Sequence, residues 1–180
     1  GKTLIAIGSM IPIKGYDFLI EVMSLLVKRS SEYHLKILGD GPLRTDLEQK
    51  VIDYKLSNNI TFLGKVNNPE DHLQKANLFV HGTSSEAFGL VLIEAMAAGL
   101  PVITTDGGGN RDFMDGSNGF LVTKRDPEQF ASIISEISSS PSLYKDLQSG
   151  AIKTSEKYDI SSYVDNLLEI YNNCWKFSNR

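Results

Sequence analysis

Short runs of β-forming residues alternate with longer helical patterns along almost the whole chain. The strand-like runs occupy residues 3–8, 34–41, 59–66, 77–82, 101–109 and 118–122. The helical patterns occupy residues 15–30, 42–56, 69–76, a stretch beginning near 89, and then 126–140, 142–158 and 161–175. Such alternation builds a parallel sheet covered by helices on both faces. We therefore predict one doubly wound, Rossmann-like α/β domain with about six parallel strands.

Glycines follow most of the predicted strands. They are Gly8, Gly39, Gly41, Gly64, Gly82 and the run 107–109. Doubly wound sheets bind ligands at the carboxyl ends of their strands, at the point where the strand order reverses. The glycine-rich loops therefore predict a ligand site at that edge of the sheet.

Charge and composition exclude several classes of protein. A net charge of −4 over 180 residues argues against a nucleic-acid surface, which is usually basic. No apolar run is long enough to span a bilayer. Cys174 is the only cysteine, which excludes an internal disulfide and fits a reducing, cytoplasmic compartment. The strand-like run starts at Thr3 with no leader, so we expect a fragment of a longer protein.

Two glutamates, Glu86 and Glu94, interrupt the otherwise apolar stretch SSEAFGLVLIEAMAAG at residues 84–99. A buried carboxylate without a partner is costly, so each acid needs a reason to be there. Gly89 lies between them and lets a ligand approach the backbone closely. The first free N–H groups of the helix, at Gly89, Leu90 and Val91, suit a phosphate or diphosphate.

The glutamates themselves suit hydroxyl groups. An ionised carboxylate only accepts hydrogen bonds, and it would repel a phosphate. A ligand with hydroxyl pairs on both sides of a diphosphate is a nucleotide sugar, with ribose at one end and the transferred sugar at the other. The alternative is that Glu86 caps the helix and Glu94 is a solvated helix position. The spacing alone leaves both interpretations open.

The segment HGTSSEAFGLVLIEAMAAGLPVITTDGGGNRDFM, residues 81–114, closely resembles the signature of glycosyltransferase family 4. The segments IPIKGYDFLIEVMSLL, ILGDGPLRTDLEQ, ITFLGKVNNPEDHLQKANLFV, GSNGFLV and LLEIYNN are similar to the family's other segments, in the same order. The resemblance implies the carboxy-terminal, donor-binding half of a GT-B-fold retaining glycosyltransferase. It also implies that an amino-terminal, acceptor-binding domain is absent from residues 1–180.

The resemblance assigns roles to three charged residues. Glu94 would hold the ribose hydroxyls, and Glu86 the hydroxyls of the transferred sugar. Lys14 would neutralise the diphosphate and stabilise it as the leaving group, because a fixed cation lowers the barrier where negative charge develops. Lys14 and Glu86 are thus the expected catalytic residues. The family's retaining mechanism needs no nucleophile from the enzyme.

Other donor-binding positions follow from the same resemblance. The backbone of Phe88, Gly89, Leu90 and Val91 would line the sugar and the phosphates. The backbone near Val66 would read the nucleobase, of a UDP-linked or GDP-linked donor.

One position departs from the family pattern. Ser9 stands where the family usually has an arginine after the first strand. A hydroxyl brings no charge to the phosphates, so one of two cations is missing. Arg44, Lys65 or Arg111, or a residue of the absent domain, are the candidates to replace it. The departure leaves room for weak or altered donor binding.

The expected partners are the nucleotide sugar and, through the absent domain, an acceptor glycan or lipid-linked sugar. We expect no cofactor, no nucleic acid and no bound metal, because no Asp-x-Asp pair or metal-spaced cluster occurs. The full-length protein would be cytoplasmic, with room for peripheral association at the inner face of the membrane. Two alternatives remain: a non-catalytic nucleotide-sugar-binding module, and another GT-B enzyme such as an epimerase or phosphorylase.

His81 and Cys174 have no functional partner in the sequence. His81 ends near a strand and is within reach of the predicted cleft, but we interpret it as a structural histidine with satisfied hydrogen bonds. We interpret Cys174 as a packed thiol, because no base is near it in sequence.

Overall fold

The computed structural model describes residues 1–158. The helix predicted at 161–175, with Cys174, lies outside the described residues. The six strands are β1 (Thr3–Ile7), β2 (His34–Leu38), β3 (Ile60–Gly64), β4 (Leu78–His81), β5 (Val102–Thr105) and β6 (Gly119–Val122). The six α-helices described are α1 (Tyr16–Arg29), α2 (Arg44–Asp53), α3 (Pro69–Leu73), α4 (Leu90–Ala97), α5 (Pro127–Ser139) and α6 (Pro141–Glu156).

The six strands form one sheet in the order β3-β2-β1-β4-β5-β6. Every neighbouring pair is parallel. The strand order reverses between β1 and β4, which are neighbours although two strands separate them in sequence. The predicted doubly wound sheet is therefore confirmed, and its reversal point, where sheets of this class bind ligands, lies at the ends of β1 and β4.

Helices cover both faces of the sheet because the side chains of each strand alternate between the faces. Leu4 of β1 packs with α1, α2 and α5, whereas its neighbour Ile5 packs with α3 and α4. Phe18 of α1 and Phe130 of α5 meet edge to face, with ring centroids 5.3 Å apart. The two apolar layers give the loops at the strand ends a rigid base.

Helix starts follow the local sequence, with one correction. Asp126 and Ser140 cap α5 and α6 with their side chains, and a proline follows each of them. The helix predicted to begin at Pro42 begins at Arg44 instead. The reason is that the Leu43 N–H donates to Met10 O, 3.1 Å away, which holds this segment as a turn against the loop after β1.

Two short 3-10 helices, Pro12–Lys14 and Gly109–Phe113, were not predicted. They shape the loops after β1 and β5. Within residues 1–158, no helix combines the length and the apolar character needed to cross a membrane.

Candidate functional site

An open cleft of about 480 Å³ lies where the strand order reverses. This volume is in the range of small-molecule sites. Its lining contains eight of the nine predicted site residues: Ser9, Lys14, Glu86, Phe88, Gly89, Leu90, Val91 and Glu94. The loops after β1 and β4 and the start of α4 thus bring together residues that are far apart in sequence.

The ninth predicted residue, Val66, lines an adjoining cleft of about 390 Å³. Lys65 and Asp40 line the same space. The two clefts share Ile7, Gly8 and Ser9 at the end of β1. Together they form a continuous groove across the carboxyl ends of β1, β2 and β4.

Lys14 is held by the turn between β1 and α1. It ends the 3-10 helix Pro12–Lys14, and Gly15 follows with a left-handed φ of 65°. The carbonyl of Ile13 accepts hydrogen bonds from Thr83 Oγ1 at 3.0 Å and from Ser84 N at 2.8 Å. These bonds join the β1 loop to the β4 loop, so they fix the position of Lys14 relative to Glu86.

Glu86 is held by the glycine loop after β5. Its N–H donates to Gly107 O at 2.7 Å, and its carbonyl accepts from Gly109 N at 2.9 Å. This close approach requires glycine, because a Cβ on Gly109 would overlap the carbonyl of Ala87. The glycine run that the sequence shows after β5 therefore positions the backbone of Glu86.

Lys14 and Glu86 form an ion pair with 2.7 Å between Nζ and Oε2. The side chains are 21% and 12% exposed, so water screens the pair only partly. Burial raises the pKa of the Glu86 carboxyl, but the hydrogen bond and charge of Lys14 outweigh it, and the net pKa lies below its ordinary value. The two predicted catalytic residues are therefore each other's partners.

Helix α4 begins at Leu90 after Gly89, which has a left-handed φ of 93°. The N–H groups of Leu90 and Val91 have no acceptor inside the helix, so they are available at the cleft, whereas the Leu92 N–H donates to Gly89 O at 2.9 Å. Phe88 and Leu90 are 49% and 64% exposed beside it. Glu94 is exposed and faces the same cleft from the second turn of α4.

The cations considered as replacements near Ser9 differ in their partners. Arg44 pairs with Glu48 and Asp40, and Arg111 pairs with Asp106 at 2.6 Å. Lys65 has no ion pair within the described part of the chain, and it lines the groove that contains Ser9. In the same part of the chain, no group of three or more His, Cys, Asp or Glu side chains is placed to hold a metal ion.

His81 lies beside the cleft, and its hydrogen bonding differs from what the sequence predicted. It ends β4 and is only 3% exposed. Its Nδ1 lies 3.3 Å from Thr104 Oγ1, but its Nε2 has no hydrogen-bond partner among the described residues and lies 3.6 Å from Glu86 Oε2. Our interpretation of a fully satisfied structural histidine is therefore wrong at Nε2. The signal in the sequence was its position, five residues before Glu86 at a strand end.

Comparison with known proteins assigns the chain to a protein family. The family model described as "Glycosyl transferases group 1" matches residues 1–154. The chain is 30% identical over 164 residues to the poly(glycerol-phosphate) alpha-glucosyltransferase of Bacillus subtilis (strain 168), an alignment that covers 90% of this chain and 24% of that protein. The chain spans about a quarter to a half of the length of the first curated relatives that it matches.

Solved structures give the same result. A variant of S. aureus TarM, in complex with fondaparinux, alpha-GlcNAc-glycerol and UDP, matches with a TM-score of 0.87 and 30% identity over 95% of this chain and 35% of that one. The C-terminal domain of the group 1 protein LpcC from Francisella tularensis matches with a TM-score of 0.79 and 26% identity, over 89% of this chain and 88% of that domain. The Rossmann-like sheet is thus that of a GT-B C-terminal domain, and the chain belongs to the group 1 family of glycosyl transferases.

Proposed function

We propose that this chain is the donor-binding domain of a retaining glycosyltransferase and binds a nucleoside diphosphate sugar in the groove at the ends of β1 and β4. The observation that carries the proposal is the single cleft that gathers Lys14, Glu86, Glu94 and the start of α4. A cation and free N–H groups suit the diphosphate, and two carboxylates suit hydroxyl groups. UDP in the S. aureus neighbour supports the same class of ligand.

The diphosphate takes Lys14 away from Glu86 in this proposal. The N–H groups of Gly89, Leu90 and Val91 and the Lys14 ammonium then face the phosphate oxygens. When the bond from the sugar to the phosphate breaks, the leaving diphosphate gains negative charge, which these fixed groups stabilise. Lys14 brings a full positive charge to the leaving group, whereas the N–H groups are dipoles, so Lys14 carries most of the expected rate effect.

Glu94 and Glu86 each bind one of the two sugar rings of the donor. Glu94 accepts hydrogen bonds from the ribose hydroxyls, and Glu86 accepts them from the transferred sugar. The nucleobase, uracil or guanine, occupies the adjoining cleft beside the backbone of Val66. Lys65, which lines that cleft with Ser9, supplies a positive charge near the position where the family usually has an arginine.

Retention of configuration is part of the proposal. The acceptor hydroxyl attacks the sugar carbon on the face that the phosphate leaves, and the departing phosphate oxygen takes the acceptor proton. Glu86 supports the sugar and its developing positive charge and forms no covalent bond. Its ion pair with Lys14 fits a positioning and charge-stabilising group.

The acceptor half belongs to an amino-terminal domain of the whole protein. We propose a glycan or lipid-linked sugar as the acceptor, with the whole protein in the cytoplasm and associated with the inner face of the membrane. This part rests on the family resemblance and on the length of the relatives, of which this chain spans a quarter to a half.

Calorimetric titration of the 180-residue chain with UDP, GDP, UDP-glucose and UDP-N-acetylglucosamine tests the donor site. We expect the nucleotides of one of the two bases, uracil or guanine, to bind. Their affinity for the chain should change by less than about threefold when a chelator replaces magnesium. Lys14→Met should weaken binding by about tenfold or more, or about 1.4 kcal/mol. Absence of binding by all four ligands would contradict the proposal, and a tenfold loss with the chelator would contradict the metal-free part.

The same titration, together with an activity assay, distinguishes a transferase from a non-catalytic binding module and from an epimerase. A non-catalytic module, which Ser9 favours, would bind the nucleotide sugar, but the full-length protein would transfer nothing. An epimerase would interconvert sugar nucleotides without any acceptor.

A further inference from the structure

The side chain of His81 lies directly behind the pair formed by Lys14 and Glu86. Lys14 Nζ and His81 Nε2 approach the same oxygen, Glu86 Oε2, at 2.7 Å and 3.6 Å. These are the two charged groups that bear on the imidazole, and its other neighbours are the Thr104 hydroxyl of β5 and the ring of Phe79. A nearly fully buried polar atom without a partner is unusual and needs an explanation.

The hydrogen bonds on the opposite side of the ring indicate where its proton lies. Asn110 Nδ2 donates to Thr104 Oγ1 at 2.8 Å, and Thr104 Oγ1 donates its own hydrogen to Thr105 O at 2.9 Å. The Thr104 oxygen lies 3.3 Å from His81 Nδ1, and its single hydrogen serves either Thr105 O or Nδ1, according to the tautomer of the ring. With that hydrogen on Thr105 O, the neutral ring carries its proton on Nδ1 and turns a lone pair on Nε2 toward the Glu86 carboxylate.

The charge of Lys14 favours the neutral form of the His81 ring. Burial first, and then the charge of Lys14, lower the pKa of His81 to about 4, against a smaller opposing effect of Glu86. Removing the Lys14 ammonium ends its repulsion of a positively charged His81 ring. It also leaves the Glu86 carboxylate without a cation as partner. Both changes favour a proton on Nε2, which would then donate to Glu86 Oε2.

We propose that His81 is a positioning residue for Glu86: when the donor diphosphate draws Lys14 away, the His81 ring takes up a proton from solvent and its Nε2–H replaces Lys14 as the partner of Glu86 Oε2. This inference rests on the proposed function for the movement of Lys14. One N–H bond forms, no other bond changes, and the net result is an uptake of up to one proton for each donor bound. His81 thereby keeps Glu86 ionised and oriented toward the transferred sugar.

A first test needs no ligand. The carbon-bound ring protons of His81 are followed by NMR as a function of pH in the 180-residue chain, and assigned by elimination with His34→Gln and His72→Gln, which leave the buried site intact. Lys14→Met imitates the departure of Lys14. We expect the His81 midpoint to rise by about one pH unit or more in Lys14→Met.

The double variant Lys14→Met with Glu86→Gln is the matched control. It lacks the carboxylate that would hold the imidazolium, so most of the rise seen with Lys14→Met should disappear. A midpoint that does not move in Lys14→Met, or that rises equally in the double variant, would overturn the proposal.

A second test uses UDP. Calorimetry near pH 6 in buffers with different heats of ionisation counts the protons exchanged on binding. The terminal phosphate of UDP also titrates near this pH, so the informative quantity is the difference between the wild-type chain and His81→Gln. We expect the wild-type chain to take up more protons than the variant, by up to one per UDP, and the ratio of wild-type to variant affinity for UDP to rise as the pH falls toward 5.

The two tests separate the two claims. If UDP does not bind, the donor site is wrong, and the NMR titrations still decide the behaviour of His81. If UDP binds with equal proton counts in both chains, the donor site stands and the role of His81 is refuted.

Discussion

At the scale of single residues, Glu86 and Glu94 have different surroundings although both line the cleft. Glu86 is largely buried and paired with Lys14, whereas Glu94 is exposed on α4. The sequence placed both acids at a ligand site, but it could not show the ion pair, because 72 positions separate Lys14 from Glu86. Only the sheet topology brings them within 2.7 Å. The sequence could not show the unpartnered nitrogen of His81 either, because its surroundings also depend on the sheet topology.

The different surroundings predict different effects of Glu94→Gln and Glu86→Gln. Glu94→Gln should weaken bare UDP and its sugar conjugate alike, because both contain ribose. Glu86→Gln should weaken only the sugar conjugate, and it should leave bare UDP unchanged or bound more tightly, because Lys14 loses its competing partner. The expected loss is about 1.5–3 kcal/mol for each charged hydrogen bond.

Calorimetry with both ligands on both variants gives four affinities, and their pattern is the result. If Glu86→Gln weakened bare UDP as much as the sugar conjugate, Glu86 would be supporting the loop and not the sugar.

At the scale of secondary structure elements, the sequence predicted all six strands and the described α-helices, because apolar periodicity and glycine turns are local signals. The start of α2 and the two 3-10 helices escaped prediction because contacts from other loops determine them. Leu43 bonds to the β1 loop, and the segment Gly109–Phe113 packs against the β4 loop through Glu86. The segments that were missed are those that shape the cleft.

The start of α4 yields a prediction of its own. Gly89→Ala puts a side chain at a φ of 93°, with its Cβ 3.3 Å from Phe113 Cε2. The strain should lower the free energy of unfolding by about 1–3 kcal/mol and weaken UDP binding, because the N–H groups of the first turn shift.

Asp126→Ala is the matched control for stability. It removes the side-chain cap of α5, which accepts from Glu128 N and Gln129 N, and should lower the free energy of unfolding by about 1 kcal/mol. It lies outside the cleft, so UDP affinity should stay the same. Chemical denaturation and calorimetry on both variants check this, and an equal loss of affinity in the two would show that the effect of Gly89→Ala is only instability.

At the scale of the whole molecule, this chain matches a C-terminal domain and only part of longer relatives. We therefore predict that the 180-residue chain binds a nucleoside diphosphate but transfers no sugar. Slow hydrolysis of the donor fits the prediction, because water needs no acceptor site. A product assay with radiolabelled UDP-glucose and UDP-N-acetylglucosamine checks it, and multiple-turnover transfer by this chain alone would show that it contains an acceptor site.

An NMR titration of the ¹⁵N-labelled chain with UDP shows where the donor binds. We expect saturable shifts of the backbone amides of Ser9, Lys14, Gly89, Leu90 and Val91. Amides of the remote groove at residues 53–56, between the ends of α1 and α2, should stay unchanged. Saturable shifts confined to residues 53–56, with the amides around Lys14 and Gly89 unmoved, would contradict it.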